Sequence, residues 1–257
     1  MNNDTESATL AVTRVANSCV LIEIDGRTVL TDPFFTERWL VRRGEPLGLT
    51  VAELPPLTAI VASHSFPNHW DLRALAQYRH KSTTSVYVSS ARMARQARAL
   101  GYASAELLPW HAVARPEPGV SVEAAPAGRT AAWRHNAYVI ECGGIRVFFG
   151  GEIRDAGLLA RYRHDRPAVD VALLPVNGLR PVVGPPIVMG PEQAVAGAKA
   201  LGARILVPVH DAMGDEPFAR VLRRHGSGAD ARALALADPT APRVVCLPTG
   251  RRWEYER

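Results

Sequence analysis

The chain is predicted to fold as an α/β protein with two β-sheets at its centre. Three observations carry this prediction. The first third is a succession of short apolar runs of strand length, the middle is again rich in such runs, and from Val169 onward strand, helix and strand alternate. No Pro/Gly/Ser-rich linker, low-complexity tract or fixed-period repeat divides the 257 residues, so residues 1–257 are read as one domain.

Along the chain, ATLAVTR at 8–14, SCVLIEI at 18–24 and RTVLTD at 27–32 read as strands, with Asp25-Gly26 as a hairpin turn between the last two. A polar, Pro-containing stretch runs from Phe34 to Pro56. TAIVAS at 58–63 then reads as a buried strand that delivers His64 at its end, a usual place for functional groups. Asp71 precedes the periodic run LRALAQY and is placed either as its N-cap or in a catalytic role. SVYVSS at 85–90 is read as strand and ARMARQARAL at 91–100 as helix. VSVEAAP, AYVIECG and IRVFFGG follow as three more strands. The last third reads as strand VDVALLPV, a Gly/Pro-rich loop from Asn177 to Gly190, helix PEQAVAGAKAL with Pro191 in its first turn, and strand RILVPV ending at His210. A helix from about Pro217 to His225 and the strands RVVCLPTG and RRWEYE close the chain.

Composition narrows the class of function. Apolar residues make up 47% and charged residues 21%, and no stretch of about twenty uninterrupted apolar residues offers a membrane span. The start, MNNDTESATLAV, is polar and acidic where a secretory signal needs positive charge before an apolar run, so a cytoplasmic location is expected. Cys19, Cys142 and Cys246 each lie alone in an apolar run, as buried thiols do, and none is expected to be a ligand. The net charge of +5 is spread over scattered arginines, Lys81 and Lys199 being the only lysines. The Arg92, Arg95 and Arg98 face is read as solvated, and no nucleic-acid partner is expected.

The sharpest chemical feature is SHSFPNHWD at 63–71, where His64 and His69 follow an apolar strand and precede a helix. Glu152 and His210 each come just past another apolar strand, so three ligand-capable groups sit at strand ends and a fourth, His69, on the turn after one of them. His111 and His135 are expected in ordinary surface or loop positions, with facing the site as the alternative for each, and His80, His164 and His225 in solvent. Phe34, Phe35, Trp39 and Trp70 line either the core or an apolar cleft.

Residues 64–69 resemble the H-x-H-x-D-H signature of the metallo-β-lactamase-fold hydrolases. LIEIDGRTVLTDP resembles that family's opening hairpin, and FFGGE its strand ending in Gly-Asp. LLPVNG with MGPEQAVAGAKALGARILVPVH resembles its C-terminal third, above all in the lactonase and N-acyl phosphatidylethanolamine phospholipase D branch. The resemblance implies a four-layer αββα sandwich and metal-assisted hydrolysis. It also implies a degenerate metal motif: Phe66 and Asn68 stand where the signature has histidine and aspartate, Gly128 falls at or near a third histidine ligand, and Glu152 replaces a bridging aspartate. His69, Glu152 and His210, with Asn68 as a weaker oxygen donor, remain as one metal set for zinc, iron or manganese. His64 keeps only a share of Glu152, so the resemblance implies at most one divalent metal, or none. His64, His69 and Glu152 are the candidate catalytic residues, and Phe66 and Asn177 are placed in the substrate pocket.

Three functions follow from this pattern. The first is a hydrolase that acts with one metal on an ester, lactone or phosphoester of a small-molecule substrate. The second is a metal-independent acid/base catalyst, an isomerase, lyase or cyclase, in the same cavity. The third is a non-catalytic binding protein, ranked last because His210 and Glu152 keep ligand-capable groups.

Overall fold

A computed structural model describes residues 8–39, 41–130, 133–212 and 221–256. In chain order the strands are β1 (Thr9–Ala16), β2 (Cys19–Ile24), β3 (Arg27–Thr31), β4 (Ala59–Ala62), β5 (Ser85–Val88), β6 (Ser104–Leu107), β7 (Val113–Ala114), β8 (Val120–Thr130) and β9 (Trp133–Cys142). They continue as β10 (Ile145–Phe149), β11 (Val171–Pro175), β12 (Arg180–Pro181), β13 (Ile205–Val209), β14 (Leu222–Arg223), β15 (Arg243–Val244) and β16 (Arg252–Glu256). The helices are α1 (Leu72–Gln77), α2 (Ala91–Ala99), α3 (Ala156–Arg163), α4 (Pro191–Ala200) and α5 (Gly228–Ala237).

Two seven-stranded sheets form, ordered β16-β1-β2-β3-β4-β5-β6 and β15-β13-β11-β10-β9-β8-β7. Each is half antiparallel and half parallel. Tight turns make the antiparallel half: Asp25 and Gly26 have φ of 48° and 74°, and Gly143 and Gly144 have 55° and 77°, the paired left-handed residues that suit the strand twist. Helical crossovers join the parallel strands from β4 to β6 in the first sheet and β10, β11, β13 and β15 in the second, whereas β3 reaches its parallel partner β4 with no α-helix between them among the described residues.

The inner faces of the sheets share one core. Val12, Ile22 and Val61 of the first sheet pack in the same cluster as Val122, Ile140, Val147 and Val207 of the second. A second cluster lies between the first sheet and α1 and α2, and a third between the second sheet and α3, α4 and α5. The layers are therefore αββα, as expected. Helix α2 shows why its sequence forms it: Ser90 caps its start, and Met93, Ala94 and Ala97 lie on one buried face. Arg92, Arg95 and Arg98 lie on the exposed face.

Several expectations shift. Asp71 is the N-cap of α1, its side chain accepting from Arg73 N and Ala74 N. Of the helix expected from about Pro217 to His225, residues 217–220 lie outside the described residues; over 221–225 no α-helix forms, and Leu222–Arg223 pairs as a strand with Arg180–Pro181. Phe34, Phe35 and Trp70 are core, whereas Trp39 is 72% exposed. Helices α3 and α5, short β6 and the two-residue strands β7, β12 and β14 were not apparent in the sequence, and only the Arg243–Val244 part of RVVCLPTG forms strand. Among the described residues no helix is long and apolar enough to cross a membrane.

Candidate metal centre

The parallel halves of both sheets end at one edge, and the candidate residues come from the ends of their strands, where α/β sheets commonly bind ligands. Asp32 follows β3, Ser63 and His64 follow β4, Glu152 follows β10, Asn177 comes after β11, and His210 follows β13. Two backbone bonds lock the sheets together here: Asn136 N donates to Ser63 O at 3.0 Å, and His210 N donates to Asn17 O at 3.2 Å. The turn that delivers Glu152 requires glycine. Gly151 has φ of 56°, and a Cβ on it would stand 2.6 Å from the Cβ of Ser63. His210 and Asp32 hold φ of 54° and 34°, left-handed conformations costly for side-chain-bearing residues and frequent at functional sites.

Glu152 occupies the centre with one carboxylate oxygen on each side. Its Oε1 lies 3.1 Å from His69 Nε2 and 3.4 Å from His210 Nε2, and the two histidine nitrogens are 3.3 Å apart. Its Oε2 lies 3.4 Å from His64 Nε2. His64 is sandwiched: its ring stacks on His135 with centroids 4.3 Å apart and planes 7° from parallel, and meets His69 at 4.2 Å. All four histidines are buried, and the Glu152 side chain is 11% exposed. Among the described residues, two groups bring ligand atoms within 4.8 Å of one another: His69, Glu152 and His210, and His64, His135 and Glu152.

Asp32 is the buried anchor of this cluster. Its Oδ2 lies 2.6 Å from His69 Nδ1 and accepts from Ser63 Oγ at 2.7 Å, while its Oδ1 accepts from Ser63 N at 2.6 Å. Ser63 has one hydroxyl proton and gives it to the carboxylate, so its Oγ accepts from His64 Nδ1 at 2.9 Å. This assigns His64 the tautomer whose Nε2 carries a lone pair. The Asp32 contact likewise holds a proton on His69 Nδ1 and turns Nε2 toward Glu152.

The electrostatics follow from burial and neighbours. Burial, reinforced by the His69 charge, holds His64 well below the ordinary histidine pKa, and burial also lowers His135. For His69 burial acts downward as well, but Asp32 and Glu152 outweigh it and raise the group to about 10. Burial alone would raise Glu152, yet His64 and His69 hold it well below the usual carboxylate range.

The remaining expected residues are placed as follows. Asn68, Asn177 and His210 line a cavity of about 60 Å³ together with Arg42 and Arg43. Asn68 Oδ1 is buried with no hydrogen-bond partner among the described residues. Asn177 Nδ2 lies 3.5 Å from His210 Nδ1, and Asn177 Oδ1 accepts from Leu179 N at 3.1 Å, so this residue steadies both the histidine and the loop that follows. Phe66 is 41% exposed and does not line that cavity; its carbonyl closes the turn by accepting from His69 N and Trp70 N. Gly128 offers no side chain, and its φ of 102° sits where the β8–β9 register slips between Pro126 and Arg129.

His135 corrects the surface placement expected of it. It stands on β9 beside Asn136, which pairs with Pro126, and strand alternation turns its ring inward to 3% exposure. The run HNAYVIEC showed the alternation, but not the register that sets His135 against His64. Asp32 and Ser63 were also missed as site residues, although Asp-Pro after a strand and Ser before His64 were visible. His111 stays outside the cluster, exposed and 3.3 Å from Arg166.

A two-sheet αββα sandwich with a buried histidine–carboxylate cluster at the strand ends defines an α/β protein with a candidate metal centre. Residues 27–210 match the beta-lactamase superfamily domain, and the chain belongs to that family. It is 27% identical over 268 aligned residues to an uncharacterized protein of Mycobacterium tuberculosis, covering 95% of this chain and 70% of that one. Among solved structures it is similar to Igni18, a metallo hydrolase from the archaeon Ignicoccus hospitalis, with TM-score 0.74, 18% identity and coverage of 97% and 99%. It is also similar to CmlA, a diiron β-hydroxylase from Streptomyces venezuelae, with TM-score 0.69, 15% identity and coverage of 98% of this chain and 54% of that one.

Proposed function

We propose that the protein is a metal-dependent hydrolase of a small-molecule ester, lactone or phosphoester, with a divalent ion held by His69, Glu152 and His210. One observation carries this reading. Ligand atoms about 2.0–2.1 Å from a zinc ion at tetrahedral angles stand about 3.3 Å apart. The three donor atoms here are separated by 3.1, 3.3 and 3.4 Å. The unpartnered Asn68 Oδ1 on the cavity beside His210 supports an oxygen donor to the same ion. Zinc, iron and manganese all suit two imidazoles and a carboxylate.

A bound ion would supply Lewis acidity toward a carbonyl or phosphoryl oxygen and acidify a nucleophilic water. The chain's own residues do the rest. Asp32 fixes His69 with Nδ1 protonated, Asn177 steadies His210, and Glu152 keeps its charge despite burial. Arg42 and Arg43 give the cavity positive charge toward an anionic substrate or product. The C-terminal third, with its Asn177–Gly190 loop beside His210, supports placing the protein near the lactonase-like branch.

Metal analysis of protein purified without chelator tests the reading. About one equivalent or more is expected, and hydrolysis of lactone, ester or phosphodiester panels should be lost on chelation and restored by zinc, manganese or iron. Less than about a tenth of an equivalent, with no restoration, would overturn it. One observation favours a second reading, a metal-free acid/base catalyst: a proton on His69 Nε2 satisfies Glu152 Oε1 as an ion would. Turnover that survives chelation but falls in His64→Ala and His69→Ala would select that alternative.

A further inference from the structure

We infer that the cavity beside His210 is a carboxylate subsite, so that the substrate is a small ester or lactone carrying a free carboxylate near the bond that is cut. This assignment rests on the hydrolase reading proposed above and names the substrate class within it.

Four features of the cavity point this way. First, its polar lining is Arg42, Arg43, Asn17, Asn68, Asn177 and His210, the rest of its wall is apolar, and among the described residues no aspartate or glutamate lines it. Positive charge set in apolar walls attracts an anion more strongly than the same charge in open water. Second, two buried donors are left over: Asn17 Nδ2 and Arg43 Nε have no hydrogen-bond partner among the described residues. Such donors are costly, and an anion seated between them satisfies both.

Third, both side chains are held in place through other atoms. Asn17 N donates to Glu45 Oε1 at 2.6 Å, and Asn17 O accepts from His210 N at 3.2 Å. These bonds fix Asn17 at a φ of 53°, a costly conformation for a residue with a side chain and one frequent at ligand sites. Arg43 Nη1 donates to Phe35 O at 2.8 Å, and its Nη2 stands 3.8 Å from Glu37 Oε2. Neither nearby carboxylate takes the anion's place: Arg14 Nη2 lies 2.8 Å from both oxygens of Glu45, and the Glu37 side chain is 43% exposed. Fourth, the volume is selective. A cavity of about 60 Å³ equals about two waters at roughly 30 Å³ each, which the two oxygens of a carboxylate replace and the three peripheral oxygens of a phosphoryl group overfill.

His210 ties this subsite to the centre. Its Nε2 belongs to the donor triangle, while its Nδ1 lies 3.5 Å from Asn177 Nδ2 in the cavity wall. The two sites share that wall, so one small molecule spans them. In the reaction, water adds to the ester carbonyl and the bond to the ester oxygen breaks. The products are an alcohol and a second carboxylate, with one proton released to solvent.

Monomethyl succinate and methyl butyrate, which differ only by a carboxylate in place of a methyl group, test the assignment on zinc-loaded protein. The first should be hydrolysed with kcat/KM roughly 10–100-fold higher, mostly through KM, and Arg43→Gln should erase most of that ratio. In parallel, calorimetric titration of chelated protein with succinate should show binding that weakens roughly tenfold or more in Arg43→Gln. Should that variant fail to fold, judged by circular dichroism, Asn17→Gly removes the other donor at a φ that glycine adopts freely. Equal kcat/KM on the two esters, with no succinate binding, would overturn the subsite and leave the hydrolase standing. Succinate binding that depends on Arg43, without turnover of either ester, would overturn the hydrolase and leave an anion site. Inorganic phosphate binding more tightly than succinate, with the same dependence on Arg43, would overturn the carboxylate assignment.

Discussion

Asp32 Oδ2 and His69 Nδ1 lie 2.6 Å apart, and both side chains are fully buried. This short contact couples a residue at the end of β3 to one in the turn after β4, and it decides which nitrogen of His69 faces Glu152. A ligating histidine oriented by a carboxylate is held in one tautomer and made more basic. Asp32→Asn keeps the shape and removes the charge, so zinc affinity should fall roughly 10–100-fold. A chelator-competition titration reads this; unchanged affinity in a folded variant would show that Asp32 supports the fold and not the ligand.

Most of the fold was legible because its signals are local. Asp25-Gly26 can hardly be anything but a tight hairpin, and the Ser90 cap and buried stripe of α2 lie within nine residues. His64, Glu152 and His210 were legible for the same reason, each coming just past an apolar run that is a strand, and His69 because it lies five residues after His64 in the turn before α1. His135 was not, because its place depends on pairing between β8 and β9, and on a register slip that no single run displays. Asp32 and Ser63 were hidden differently. They act on other side chains, so nothing in their own surroundings in sequence reveals a role. The β12–β14 pair joins residues some forty positions apart and leaves no periodic trace at all.

The metal-free protein should be most heat-stable near pH 6.5, with opposite causes on the two sides. Asp32 and Glu152 raise His69 to about 10 in the folded state, against about 6.5 unfolded. The stability from that raised value is fully present below 6.5 and is lost as pH climbs from there toward 10. His64 is lowered by burial, so below 6.5 the unfolded chain gains a proton that the folded chain refuses, and stability falls on the acid side. Glu152, lowered in the folded state, adds to that acid loss below about 4.5. Scanning calorimetry of chelated protein from pH 5 to 10 measures the profile. Asp32→Asn should flatten its alkaline limb, and a limb that stays steep would mean that His69 is not the titrating group.

Asp71 tests the boundary between framework and chemistry, because it is a fully buried carboxylate two residues from His69 that takes no part in the cluster. Its Oδ1 accepts from Arg73 N and Ala74 N at the start of α1, and its Oδ2 accepts from Phe35 N and Thr36 N. One side chain thus caps a helix and ties down the segment after β3 that follows Asp32. Asp71→Ala removes a cap worth about 1 kcal/mol and strands the buried Phe35 amide at about 1–3 kcal/mol, with a smaller cost at the half-buried Thr36. A loss of about 2–5 kcal/mol in urea unfolding is expected. Because no atom of Asp71 reaches the donor triangle, the folded fraction should keep its full zinc content. A variant that unfolds normally but arrives without metal would instead place Asp71 in the chemistry, as the alternative reading of the sequence allowed.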